Sequence, residues 1–386
     1  MALSAVHFVA DLFSNMLPPI LPAVRRHFGL SLFGASALVV VLLLTSNWFQ
    51  LVVGHVRARK DDRVFLYGGL VLAASISLIG LVPTWAQAFW LLCGLAVVTG
   101  MGIAMVHPDA LRAIHTIDRI IPATTTAVFM AAGFLGFAVA GWVSTALVAR
   151  WGLRGLCPLV ACPLAVILAV RALRVHLAVD AEDGQEEPVD PHSPSLPFWM
   201  VSAMAIPAAL STTIVGTLLP TRLVDELGFD LTFGGISATV YGLGGALGSI
   251  LWARLAHRKG ELACTIWALL LAIPLLGLYL ALMSSKAAIL LLFGAGFFSF
   301  SAFILMITLA RTATGACLSM RMAGIVGGTW GMANLVFLPL VRLAEATGTG
   351  LVLSLAPVGY LVAAVWGLLV WRGVSGSGVS RRRPRA

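Results

Sequence analysis

The chain has 386 residues, of which 60% are apolar and only 11% carry a charge, and its formal net charge is +9. A soluble domain carries about 25% charged residues, so a soluble enzyme is excluded and a polytopic membrane protein is implied. The charge marks neither a nucleic-acid binder nor a partner of acidic proteins once its positions are considered. The five cysteines (Cys93, Cys157, Cys162, Cys264, Cys317) lie in or beside apolar runs without metal-ligand spacing. They read as small core residues, and no metal site is expected.

The opening segment, residues 2–24, is an apolar helix with one carboxylate, Asp11. At about 1.5 Å per residue, Asp11 lies roughly 14 Å from its start, near the middle of a hydrocarbon core about 30 Å thick. His7, Asp11 and Asn15 are spaced four apart and share one helix face. An ionised carboxylate at that depth costs several kcal/mol, so it faces a partner or a cavity, or carries a proton. A structural Asp bonded to a neighbouring helix is the plainer reading. The segment lacks a basic leader and a small-residue cleavage site, and holds Pro18, Pro19 and Pro22, so it is expected to be a retained span rather than a signal peptide.

Runs of about 20 apolar residues predict twelve spans. They fall near 2–24, 33–54, 64–83, 87–107, 123–148 and 155–175, then 198–220, 233–253, 263–283, 287–310, 322–341 and 350–371. Most of the 25 Lys and Arg fall in alternate loops, on the side that carries the termini. The positive-inside rule therefore predicts a multi-pass protein of the inner (plasma) membrane with both termini cytoplasmic. The expected organisation is a six-helix bundle over 1–175, an acidic connector over 176–196, a second six-helix bundle over 197–372, and a basic tail over 373–386. The connector holds six carboxylates and three prolines, with a fourth, Pro197, just after it, a composition that solvates a linker. The tail, with Arg381, Arg382, Arg383 and Arg385, suits anionic lipid.

The halves repeat. Leu21-Pro22 to Phe33-Gly34 recurs loosely as Leu219-Pro220 to Phe233-Gly234, and about 20 residues later each half has a basic turn, Gly54 to Lys60 and Ala253 to Lys259. A repeat in the same orientation implies two parallel halves around an axis along the membrane normal, with the substrate site between them. Twelve spans, this repeat and the basic turns resemble the major facilitator superfamily. Within it, the chain is similar to the fosmidomycin-resistance group of exporters. The residues carrying that likeness are His7-x-x-x-Asp11 with Leu17-Pro18 and Leu21-Pro22, then Ser46-x-x-x-Gln50-x-x-x-Gly54. Gly100-Met-Gly-Ile-Ala-Met-Val-His107-Pro108 and Gly133-Phe-Leu-Gly136-Phe-Ala-Val-Ala-Gly141 complete them. The resemblance implies an all-α major facilitator fold of twelve transmembrane helices in two six-helix bundles.

It also implies a gating role for Gly54, Arg57, Arg59, His257 and Arg258 in the basic turns. The carboxylate of the superfamily motif is replaced there by Ala58 and His257. These residues can equally serve topology alone. In span 5 the resemblance suggests an exporter, although a Gly-Pro that marks many antiporters is Ala140-Gly141 here. Glycines 133, 136 and 141 let helices approach closely. Pro108 is expected to break or kink span 4. The span-11 glycines 324, 327, 328 and 331 are expected to pack on the glycines of span 8. Phe293, Phe297, Phe300 and Phe303 make one stripe, a packing seam or an apolar wall. Candidate cavity residues are Asn15, Thr45, Asn47, Gln50, His107, Arg112, Ser211, Thr212, Tyr241 and Asn334. Hydroxyls in spans often only bond the preceding turn.

No phosphate-binding loop is present, so ATP drive, cofactors and catalysis are not expected. The expected function is a proton-coupled secondary transporter exporting a small drug-like or metabolite compound by alternating access. Asp11 carries the proton and His7 tunes it. The alternatives are an uptake symporter for an organic anion or nutrient, and a non-transporting membrane scaffold. The expected partners are a small-molecule substrate, protons and the lipid bilayer, not nucleic acid, and a monomer is expected.

Overall fold

In hydrocarbon every backbone polar group must be bonded within its own segment, and these apolar runs accordingly form helices. The computed structural model describes residues 2–57, 63–114, 122–174, 196–315 and 318–376, with side chains at some helix ends left out. The first half contains α1 (Ala2–Ser14), α2 (Leu17–Phe28), α3 (Leu32–Arg57), α4 (Val64–Ala73), α5 (Ala88–Ile114), α6 (Pro122–Trp151) and α7 (Cys162–Ala172). Tight turns of 3-10 helix over Ala74–Leu81 and Leu153–Ala161 complete the third and sixth crossings. The second half contains α8 (Phe198–Thr221), α9 (Leu231–Lys259), α10 (Glu261–Leu282), α11 (Ile289–Thr312), α12 (Leu318–Ala323), α13 (Thr329–Thr347) and α14 (Thr349–Gly376). Single π turns extend α8 over Arg222–Glu226 and join α12 to α13 over Gly324–Gly328.

Among the described residues, 11 helical segments are long and apolar enough to cross a membrane. The twelfth crossing is the first, broken after Ser14 into α1 and α2. Pro18 and Pro19 sit in the first turn of α2 and have no N–H to give the preceding turn, which ends the helix before them. The expected spans otherwise coincide with helices, several of which run five to seven residues past the expected limits, as α5, α9 and α13 do. Helix α5 runs on through Pro108 to Ile114. The connector apart from Leu196, and the end of the tail from residue 377, lie outside the described residues.

Both halves bury their own apolar interiors. One cluster joins residues of α1 to α7, such as Phe13, Ile20, Leu42 and Leu70. The other is built mainly from α8 to α14, with Tyr241, Leu269, Phe337 and Tyr360. The outer surface stays apolar, as a lipid-facing surface must. Trp85, Trp90, Trp151, Trp199 and Trp371 are exposed near helix ends, where indole rings suit the membrane–water interface.

The end of the molecule carrying the start of α1 and the end of α14 is called the terminal face, and the opposite end the distal face. At the distal face the repeat becomes a structural correspondence. Gly29 and Gly228 follow the corresponding helices with left-handed φ angles of 64° and 72°, which glycine adopts without strain. The next helices, α3 and α9, then start on Ser31 and Asp230, whose side chains accept from the amides of Gly34 (3.1 Å) and Phe233 (2.8 Å).

The halves are joined on this face. Asp225 accepts from Arg25 at 2.6 Å and Arg26 at 2.9 Å. Glu345 of α13 accepts the Phe33 amide at 3.2 Å, and the Arg342 guanidinium stacks on the Phe33 ring at 3.7 Å. Glu226 pairs with Arg222 and accepts the Thr349 amide at 3.0 Å, tying α8 to α14.

The glycine expectations divide. Glycines 244 and 248 of α9 lie against the backbone of Phe293 and Phe297 in α11. The glycine face of α12–α13 packs on α3 rather than on α9: Gly327 lies over the Asn47 carbonyl and Gly331 against the Trp48 indole. The expected span 8–span 11 pairing is therefore corrected. Two different seams use the same small-residue device.

Candidate functional site: a His–Asp–His cluster between the first and fourth crossings

Asp11 is four residues before the break in the first crossing, about a third of the way along it from the terminal face. That is shallower than the midpoint expected from the segment's start. His7 lies one turn earlier on the same face, and its Nε2 is 3.3 Å from Asp11 Oδ2. From the fourth crossing, α5 brings His107, with Nε2 3.1 Å from Asp11 Oδ1. Each carboxylate oxygen thus has its own imidazole. His107 is seven residues before the end of α5, about 10 Å of helix, so the depths of α1 and α5 match. Asn15 does not join the cluster. Its Nδ2 donates to the Asp11 backbone carbonyl at 3.0 Å, where the helix is about to stop.

Helix α6 closes the back of the site. The Phe129 carbonyl accepts a hydrogen bond from His7 Nδ1 at 2.8 Å, and the Phe129 ring stacks on the imidazole at 4.1 Å between centroids. Gly133, one turn on, faces the cluster. A Cβ there would lie 2.6 Å from both Asp11 Oδ2 and His7 Nε2, so only glycine leaves the two polar atoms room. Gly136 does the same against the Phe8 backbone. The side chain of His7 is 7% exposed, while those of Asp11 and His107 are 21% and 24% exposed. The cluster is therefore anchored on one side and open on the other. Among the described residues, the ionisable partners of Asp11 are these two imidazoles.

Toward the distal face the next layer is aromatic and joins the halves. Phe300 of α11 meets Phe134 and Phe137 of α6 at 5.4 and 5.3 Å and Tyr241 of α9 at 5.1 Å. The phenylalanine stripe is thus at its centre a seam between halves. One turn further, Thr239 of α9 donates to the Ala138 carbonyl at 2.6 Å and accepts from the Trp142 amide at 2.9 Å. That hydroxyl spans an i, i+4 backbone pair of α6, beside Ala140-Gly141, where the resemblance had led to a missing proline. A side chain inserted into the ladder loosens a helix as a proline does.

The remaining candidates are dispersed. Thr45, Asn47 and Gln50 are half-buried on α3, where Thr45 packs against Gly100 of α5 and Asn47 against Gly327. Ser211 and Thr212 bond the carbonyls of Pro207 (2.9 Å) and Ala208 (3.1 Å) one turn back. Thr212 also meets the Tyr360 hydroxyl at 2.9 Å, which meets that of Tyr241 at 3.0 Å, and Tyr241 meets Ser299 at 3.1 Å. This hydroxyl chain is buried inside the second bundle. Asn334 is buried too and donates to the Trp330 carbonyl at 2.8 Å. His257 and Arg258 are exposed at the end of α9. Arg59 and the side chains of Arg57 and Arg112 lie outside the described residues, and Gly54 is described only as part of α3.

Sequence reasoning missed two features: the pairing of His107 with Asp11, and the distal latch of Arg25, Arg26 and Asp225. The signal for the latch was present in the repeat, which puts a cationic pair and an anionic residue at corresponding turns of the two halves. Corresponding turns face one another across the pseudo-twofold axis.

The comparisons with known proteins agree with this architecture. A bacterial homologue of the human lysosomal transporter Spinster, in an inward-facing and unoccupied conformation, superposes with a TM-score of 0.69 at 15% identity, covering 100% of this chain and 98% of its own. A POT family transporter in complex with a thioalcohol-conjugated peptide gives 0.74 at 12% identity, covering 98% of this chain and 96% of its own. Both likenesses concern the fold. No curated protein matches the chain. The family model described as Major Facilitator Superfamily matches residues 3–337. The chain therefore belongs to that family of non-enzymatic, alternating-access membrane transporters.

Proposed function

We propose that this transporter exports a small drug-like or metabolite compound in exchange for protons, and that the His7–Asp11–His107 cluster carries the proton. One observation supports the coupling above all. The Phe129 carbonyl can only accept, so His7 Nδ1 bears a hydrogen. His7 Nε2 then faces Asp11 Oδ2 at 3.3 Å, and that contact is favourable only with a proton in it, held by the imidazole or the carboxyl. Loss of that proton sets two lone pairs against each other, and the cluster has reason to rearrange. The neighbours from the other elements are His107 on α5 and, on α6, the neutral Phe129 carbonyl and Gly133.

The distal latch favours a conformer open toward the terminal face. The distribution of Lys and Arg supports placing that face in the cytoplasm, with the protein in the plasma membrane. Cargo and proton that share one small locus exclude each other, and an inward proton gradient then moves the cargo outward. A symporter would instead hold both together, and a scaffold would hold neither.

The test is reconstitution in vesicles of known orientation with a lumenal pH dye, using compounds first found in a growth-inhibition panel. Compound addition should drive a proton flux opposite to the compound. Asp11→Asn, inserted at the normal level, should show none. Undiminished coupled flux in that variant overturns the assignment, and flux in the same direction as the compound replaces exchange with symport.

A further inference from the structure

The same three side chains have a second chemistry, which does not depend on proton coupling. We infer that His7 Nε2, Asp11 and His107 Nε2 form a binding site for a divalent late first-row transition-metal cation of the zinc type. The three ligand atoms all lie within 4.8 Å of one another. Metal–ligand distances of about 2.0–2.2 Å require ligand atoms roughly 3.3 Å apart. The two histidine–carboxylate separations are 3.3 and 3.1 Å, one to each carboxylate oxygen. The carboxylate therefore chelates with both oxygens or turns to present one, and no ligand pair needs to close by more than about 1.5 Å.

The surroundings match what a metal-binding histidine needs. His7 gives its Nδ1–H to the Phe129 carbonyl at 2.8 Å. That leaves Nε2 with its lone pair toward the cluster and fixes the ring, the usual outer arrangement of a ligating imidazole. The Phe129 ring stacked at 4.1 Å keeps it there. Gly133 leaves open the space beside His7 Nε2 and Asp11 Oδ2 that any Cβ would fill. The partial exposure of Asp11 and His107 gives a route in and a free coordination position. Two imidazoles and one carboxylate select zinc, copper, nickel or cobalt over magnesium and calcium, which require oxygen ligands.

The experiment uses the full-length, tag-free protein in detergent at neutral pH. Zn2+ is titrated by calorimetry, and Co2+ by its visible absorption, which reports the ligand field. Wild type should take up one Zn2+ with a Kd on the order of micromolar or tighter, and should give no response to Mg2+. His107→Gln and Asp11→Asn should each weaken binding by about 100-fold or more. Gly133→Ala keeps every ligand, fills the space, and should also weaken binding. A His7→Ala/His107→Ala double variant, with unchanged elution and thermal unfolding, gives the background from surface histidines. Zn2+ uptake no greater than in the double variant overturns the site, as does uptake that ignores all of these substitutions. The vesicle assay separates the two ideas. Proton-driven export of an organic compound without Zn2+ binding removes the metal site alone. Zn2+ binding without proton coupling removes the proposed function and leaves the site.

Discussion

The two bundles repeat each other in sequence and in helix order, yet their interiors hold different chemistry. In the first half, the first and fourth crossings meet through a carboxylate and two imidazoles. In the second half, the corresponding crossings contribute Thr212 and Ser299. These are joined through Tyr360 and Tyr241 by hydroxyl contacts of 2.9 to 3.1 Å. One cluster is built of ionisable groups and the other of neutral hydroxyls. The first is partly open, whereas the second is sealed in the core. A duplicated fold thus keeps its packing while, among the described residues, its two copies hold different polar groups at corresponding crossings. In the proposed function the coupling chemistry belongs to the first bundle, and the second supplies a buried, hydrogen-bonded counterpart.

The largest expected effect breaks that contrast outright. Asp11→Asn keeps the shape but gives the first cluster the neutrality of the second. Proton flux coupled to compound addition should fall to the level of empty vesicles. Insertion and thermal unfolding should stay near wild type, because an amide can still bond both imidazoles. A variant that unfolds instead would make the carboxylate a structural residue.

Gly133→Ala is the next. Its Cβ would lie 2.6 Å from Asp11 Oδ2, so His7 and Asp11 must be pushed apart. Overpacking of this kind costs about 1–3 kcal/mol, and coupled flux should drop by about tenfold or more. Gly136→Ala meets the Phe8 backbone instead. It should lower the unfolding temperature at least as much while altering the pH profile of transport less. Equal pH profiles in the two variants would mean that Gly133 serves helix packing alone.

The architecture was legible in the sequence because hydrocarbon leaves the backbone few choices. Runs of about 20 apolar residues and a count of Lys and Arg sufficed for twelve crossings. Asp11 and His7 were legible as well, since a four-residue spacing on a helix is a contact. His107 was legible as a candidate cavity residue beside a proline, but not as the partner of Asp11. Its contact with Asp11 spans 96 positions and depends on how far α1 and α5 slide past each other. Spacing cannot report that register. For the same reason no metal ligand set is legible in the sequence: its three members come from two helices far apart in the chain. Tyr241 and Asn334 mislead in the opposite way. As polar residues in spans they suggested a lining, but Tyr241 bonds within its own bundle and the Asn334 Nδ2 bonds back to its own helix.

Tyr241→Phe sharpens the comparison from the second half. It removes the hydroxyl shared by Ser299 and Tyr360 and keeps the ring on Phe300. Leaving buried partners unsatisfied should cost about 1–3 kcal/mol, seen as a lower unfolding temperature. The pH profile of transport should not move. A shifted profile would show that the hydroxyl chain takes part in coupling, and the division between the bundles would fail.

The smallest effect is expected where the halves touch rather than differ. Asp225 receives both Arg25 and Arg26 at the distal face, but the site is solvent-exposed. Such pairs contribute about 0–1 kcal/mol each and weaken with salt. Asp225→Asn should therefore raise the population of the conformer open at that face by only about 2–5-fold. The readout is hydrogen exchange of the Phe33 amide, which Glu345 of the opposite half caps at 3.2 Å. It should speed up when the halves part, even though Glu345 itself is unchanged. High salt applied to wild type should reproduce most of the effect. If exchange at Phe33 is unaltered in the variant, the ion pairs merely decorate a closure held by the aromatic layer around Phe300. Phe300→Ala would then be the substitution that opens the distal face.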